Sequence, residues 1–166
     1  MQLGELFARH HEELYRYAAR FTGDPDLAED VVQDAFVRLA ERPPAEDSQL
    51  RGWLFRVATT IALDAMRGTR RRLALVRDRP ERQPLGDPPA DPAAALEREE
   101  TRRRVRAALA ALGPRERAVL LMREEGFAHR EIAAAVGTTT GSVGTMIARA
   151  LEKLARQLDL DGEGRR

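Results

Sequence analysis

Pro80, Pro84, Pro88, Pro89 and Pro92 fall between Leu73 and Ala94 together with Gly86 and Asp87, and no continuous helix or central strand can run through them. Each proline lacks the amide that a helical turn or a sheet ladder needs, and each fixes its own backbone angle. The stretch reads as a flexible linker over residues 73–95, which divides the 166-residue chain into two units. The expected organisation is a unit over residues 1–72, a second over 96–160, and a disordered tail over 161–166.

Within each unit the apolar residues recur at helical spacing. Leu6, Phe7, Leu14, Tyr17, Ala18 and Phe21 describe a first helix that stops at Gly23. Asp24-Pro25 then supplies an N-cap and a first-turn proline for a second helix, with an apolar stripe of Leu27, Val31, Ala35 and Leu39 that ends before Pro43-Pro44. A polar loop opens a long third helix whose buried side is expected to be Leu50, Trp53, Leu54, Val57, Ile61 and Ala65. Past the linker, Leu96, Val105, Leu109 and Leu112 make another helical face, closed by Gly113-Pro114. Val119, Leu120 and Leu121 belong to a short helix ending near Gly126, and His129 to Leu158 holds two further segments about a turn at Gly137. Aromatic residues make up 5% of the chain while Leu, Ala and Arg dominate, which favours helix over sheet. The expected fold class is all-α: two small helical domains joined by a flexible linker, the second containing a helix-turn-helix.

Charge and composition exclude several functions. The 28 basic and 27 acidic residues nearly cancel, so any nucleic-acid contact must come from local patches. The absence of cysteine removes disulfides, thiolate catalysis and Cys-rich zinc sites. Met1 to His11 mixes acid, base and imidazole without the apolar core of a leader, and no stretch approaches the roughly 20 apolar residues of a membrane span. A cytoplasmic location without membrane insertion is expected. The chain shows no phosphate-cradling glycine loop, no nucleophile elbow and no paired histidines at metal spacing. His10 and His11 are adjacent, which on a helix turns them apart by about 100°. No catalytic residue, metal site or cofactor is expected, and the carboxylates are explained by charged helix faces.

The sharpest local pattern is Arg130-Glu131-Ile132-Ala133-Ala134-Ala135-Val136-Gly137, continuing through Thr138 to Val143 and Ile147. A helix-turn-helix needs a small residue where its helices touch, a glycine in the sharp turn, and apolar residues pinning the second helix. Ala133, Gly137 and Val143 stand at the required offsets, with Ile132, Val136 and Ile147 completing the contact. Arg130, Thr139, Ser142, Thr145, Met146 and Arg149 are the candidates for a major groove. An ordinary helical hairpin would show the same small residues, so the motif alone leaves both readings open.

With these segments in hand, the chain resembles the extracytoplasmic-function sigma factors over nearly its whole length. Ala28-Glu29-Asp30-Val31-Val32-Gln33-Asp34-Ala35-Phe36-Val37-Arg38-Leu39 is similar to that family's polymerase-binding helix. Leu50-Arg51-Gly52-Trp53-Leu54-Phe55-Arg56-Val57-Ala58 resembles the helix that helps open and read the minus-ten element. Leu109 to Leu120 and the helix-turn-helix resemble the domain that reads the minus-thirty-five element.

The residues allow physical roles to be set beside that resemblance. Glu29, Asp30, Gln33 and Asp34 leave several polar groups on one exposed side of the second helix, a face that repels phosphate and suits a basic protein. The resemblance makes that protein core RNA polymerase and adds Val37 to the contact. Trp53 and Phe55 with Arg56 combine aromatic and guanidinium surface, as in proteins that hold unstacked bases, although Trp53 has a core role open to it as well. By resemblance, the loop Pro44 to Gln49, with Asp47 and Ser48, receives a flipped minus-ten base, and Thr60 stands where the family commonly has asparagine. Arg67, Arg70, Arg71 and Arg72 suit phosphates. Gly144, Thr145 and Met146 replace the usual basic residue, serine and arginine, so weak or unusual minus-thirty-five recognition is expected; alternatively Gly144 permits close packing against a partner helix.

The resemblance thus implies a non-enzymatic sigma factor whose partners are core RNA polymerase, promoter DNA as duplex and melted strand, and an anti-sigma factor. The alternative is a helix-turn-helix regulator that binds an operator unaided.

Overall fold

The computed structural model describes residues 3–46, 49–73 and 91–163. Helix α1 spans Leu3–Thr22, α2 Pro25–Glu41 and α3 Leu50–Leu73. Gly23 separates the first two in a left-handed conformation, φ 70°, which costs glycine no Cβ clash. The Asp24 carboxylate then caps α2, accepting from the amides of Asp26 and Leu27 at 3.0 and 3.2 Å. Helix α4 spans Pro92–Ala110, α5 Pro114–Glu124, α6 His129–Val136 and α7 Thr140–Glu163.

Helix α4 starts before the expected boundary at Leu96. Asp91 caps it through the amides of Ala93 and Ala94, repeating the Asp-Pro device that opens α2. The apolar face read from its sequence is only partly used: Ala108 and Leu109 are buried, but Leu96 remains 74% exposed. At the other end of the unit, α7 continues through Glu163, into the expected tail.

Helices α1, α2 and α3 pack against one another, as do α5, α6 and α7, with α4 laid along α7. The two groups are not separate cores. Helix α3 packs on α6, and α1 and α3 pack on α5, so one contiguous apolar cluster runs from Leu6 to Val143. At its centre Tyr17, Phe55 and Phe127 stack edge on face, with centroids 4.9 Å apart from Tyr17 to Phe55 and from Phe55 to Phe127. Full burial of a side chain of this size contributes about 1.5–3 kcal/mol.

Two polar groups are buried in this joint, and both are satisfied across it. The Tyr17 hydroxyl lies 2.7 Å from Thr59 Oγ1, which donates to the Phe55 carbonyl and lies 3.8 Å from Met122 Sδ. Burial pushes the Tyr17 phenol far above its ordinary titration range, so it stays protonated. Arg117, 6% exposed, reaches from α5 to the carbonyl of Phe21 at 2.7 Å. No described helix is long and apolar enough to cross a membrane.

Candidate docking face and nucleic-acid interface

Helix α2 turns Ala28, Val31, Val32, Ala35, Phe36 and Leu39 into the core, which forces the residues between them outward. Glu29, Asp30, Gln33, Asp34 and Val37 are all exposed, Val37 at 56%. Among the described residues, Glu29, Asp30 and Asp34 form no ion pair. Three unpaired carboxylates beside an uncovered valine make a face whose charge is not spent on its own helix. Phe7, also exposed, stacks on Phe36 with centroids 4.9 Å apart and extends apolar surface from α1 toward that face.

Along α3, Arg56 and Thr60 are exposed one turn apart, and the Thr60 hydroxyl donates to the Arg56 carbonyl at 2.9 Å. Arg67 is exposed near Asp64, at 3.5 Å. Trp53 is half-buried and packs against the core, leaving part of its ring available. Phe55 departs from the sequence expectation: it is buried against Tyr17 and Phe127, where no base can reach it. Arg70 and Arg71 belong to the last turns of α3. Asp47 and Ser48 lie outside the described residues.

The helix-turn-helix forms as its spacing predicts. Ala133 is buried where α6 meets α7, Val143 is fully buried, and Gly137 takes φ 70° to close α6. The amides of Gly137 and Thr138 both donate to the Ala133 carbonyl at 3.0 Å. Arg115 holds the turn from α5, donating to the Gly137 carbonyl at 3.2 Å. Glu131 secures the start of α6 by accepting from the Ala128 amide at 2.8 Å.

The face left to the second helix is sparse in charge. Arg130, Thr139, Thr145 and Arg149 are exposed and Ser142 is half-buried. Thr139 and Ser142 satisfy each other, their hydroxyl oxygens 2.7 Å apart. Met146 is corrected from the sequence reading: it packs against the core rather than facing outward. Behind this helix, Lys153 donates to Glu116 at 2.5 Å and holds that carboxyl below its usual range, an effect opposed by burial.

Gly144 is not a packing necessity within this chain. A methyl there would meet only His129 Cε1, at 3.8 Å, and the residue is absent from the positive-φ glycines. Gly144→Ala is therefore expected to stabilise the fold by up to about 1 kcal/mol, seen as a higher midpoint in a circular-dichroism melt. A lower midpoint would mean that the helix needs glycine at this place.

An exposed acidic helix on one unit and a helix-turn-helix on the other define a DNA-reading protein with a separate protein-docking surface. Residues 6–72 match the family model Sigma-70 region 2, and residues 102–154 match Sigma-70, region 4. The chain is 37% identical over 175 residues to the ECF RNA polymerase sigma factor SigG of Mycobacterium tuberculosis, covering 89% of this chain and 47% of that one. It is 32% identical over 153 residues to SigL of the same species, covering 90% and 84%. This chain belongs to the ECF sigma factor family, while spanning about half the length of SigG.

Two solved structures share the fold. The sigma factor RpoE in complex with the anti-sigma factor NepR from Bartonella quintana superposes with a TM-score of 0.73 at 21% identity, over 95% of this chain and 97% of that one. CnrH in complex with the cytosolic domain of CnrY gives 0.65 at 28% identity, over 96% and 88%.

Sequence reasoning missed Glu13, Arg51, Glu125 and Phe127. The Arg51 guanidinium donates to Glu13 at 2.7 Å and to the Glu125 carbonyl at 3.2 Å, and lies 4.9 and 4.5 Å from the ring centroids of Phe55 and Phe127. No periodicity connects residues so far apart in the chain.

Proposed function

We propose that this chain binds core RNA polymerase as a cytoplasmic sigma factor and directs promoter-specific initiation, with RNA synthesis left to the polymerase. The observation that carries the reading is the α2 face: Glu29, Asp30 and Asp34 stand exposed and unpaired beside Val37, charged to meet a basic protein and to repel DNA. Residues 1–72 take the docking and minus-ten roles, through Trp53, Arg56, Thr60, Arg67, Arg70 and Arg71 with Asp47 and Ser48. Residues 96–160 take upstream duplex through Arg130, Thr139, Ser142, Thr145 and Arg149. With so few cations on that face, upstream contact contributes little affinity of its own.

An anti-sigma factor is part of the proposal, supported by the two neighbouring folds, each solved with such a protein or a cytosolic partner domain. It would compete for the α2 face. The deciding experiment combines the purified chain with core polymerase and assays run-off transcription on a pool of genomic fragments. Stoichiometric binding and discrete transcripts are expected, with little affinity of the chain alone for duplex. Tight operator binding without polymerase, and no transcripts with it, would instead identify a helix-turn-helix regulator.

A further inference from the structure

The joint between the two units places a cation at its heart and a second ion pair at its rim. Arg51 sits over Phe55 of its own helix and Phe127 of the other unit, with Glu13 on one side and Glu125, 3.4 Å from its Nη2, on the other. Arg20 of α1 meets Glu124 of α5 at 2.6 Å, both of them substantially exposed. Helix α3 comes so close to α6 here that a side chain on Gly52 would stand 3.1 Å from Glu131 Oε1.

This geometry conflicts with reading both promoter elements at once. Elements centred about 25 base pairs apart on duplex with a rise of roughly 3.4 Å are separated by about 85 Å. Helix α3, which carries the proposed minus-ten residues, touches α6, the first helix of the helix-turn-helix. The docking residues of α2 remain exposed in this same arrangement.

We infer that the Arg51 and Arg20–Glu124 contacts form an autoinhibitory latch that leaves the polymerase-docking face open while barring simultaneous engagement of the two promoter elements. The inference rests on the proposed sigma function. The closed chain is recruited first, and the promoter is read only after the joint parts. Because promoter binding must then work against the joint, weakening the joint tightens promoter binding by the same factor. Recruitment through α2 does not change.

The test uses the absence of native cysteine. Dyes on Ala40→Cys and Ala107→Cys, exposed positions on the two units, report their separation in the full chain. The expected separation is short in the free chain and long in holoenzyme bound to a promoter fragment recovered by run-off transcription. Glu124→Arg, which sets like charges together, should populate the long form in the free chain. It should also tighten promoter binding about fivefold, the equivalent of ~1 kcal/mol, with core polymerase affinity unchanged. Arg20→Glu added to it should restore both values, which no unfolding artefact would do. Glu125→Arg, set against Arg51, gives a second route to the same opening. An equal separation in free and promoter-bound protein would refute the latch, as would an opened Glu124→Arg chain with unaltered promoter affinity. Failure of the unmodified chain to bind polymerase at all would overturn the sigma reading itself, and the latch with it.

Discussion

A chain carrying Asp30→Arg and Asp34→Arg will bind core RNA polymerase about a hundredfold more weakly than the unmodified chain, since like charges set together across an interface cost several kcal/mol. Both carboxylates are exposed, and among the described residues neither is engaged in an ion pair that the substitution would break. Surface replacements of this kind shift stability by no more than about 0.5 kcal/mol, so the variant should melt with the unmodified chain. The affinity loss is then a property of the face and not of the fold. A titration of labelled chain into core polymerase measures the first quantity, and a thermal melt the second. An unaltered dissociation constant in a properly folded variant would remove the α2 face from the function proposed for it. Val37→Ser adds a control of a different kind, removing apolar contact without changing charge, and a loss of less than about tenfold is expected.

The parts of this fold that were legible in the sequence are those set by local chemistry. Asp24-Pro25 announced α2 because a carboxylate cap and a fixed φ act within one turn. Ala133, Gly137 and Val143 announced the helix-turn-helix because its geometry is decided within about ten residues of chain. Asp91-Pro92 is the same signal as Asp24-Pro25, yet it lay in a run of prolines whose collective weight pointed to loop, and α4 was placed too late. Phe55 illustrates the opposite limit. Its neighbour Arg56 and the nearby Trp53 suggested a base-stacking surface, but a ring's partner is chosen by tertiary packing, and Phe127 lies in the other unit. Likewise Arg51 finds Glu13 across 38 residues and Glu125 across 74, separations at which no periodicity carries information. The docking face was readable because exposure on α2 follows from burial of the opposite stripe; the joint was not, because it depends on how two faces meet.

The same dependence makes Arg117 the side chain whose loss should cost the fold most among its polar residues. Its guanidinium donates to the carbonyls of Phe21 at 2.7 Å, Ala110 at 3.1 Å and Leu112 at 3.3 Å, and it is 6% exposed. Phe21 lies in the last turn of α1, where carbonyls have no helical amide to accept from, and where a positive charge is favoured by the helix dipole. Ala110 ends α4 and Leu112 sits in the turn into α5, so one side chain ties three chain segments from both units. Arg117→Met keeps much of the volume but returns those carbonyls to an apolar surrounding. Charge-assisted hydrogen bonds contribute about 1.5–3 kcal/mol, and a buried acceptor left unmet costs roughly 1–3 kcal/mol. A net loss near 3 kcal/mol follows, or a melting midpoint lower by about 6–12 °C for a chain of this size. Arg117→Lys retains the charge but offers no planar fork to acceptors on different segments, so it should recover less than half of that loss. The rim pair Arg20–Glu124 provides the contrast: exposed on both sides, its removal should cost under about 1 kcal/mol. Calorimetry on the three variants therefore separates a buried cation that organises the joint from a surface pair that only adjusts it. A methionine variant melting within about 2 °C of the original chain would mean that the joint closes without Arg117, its carbonyls being satisfied by some other donor.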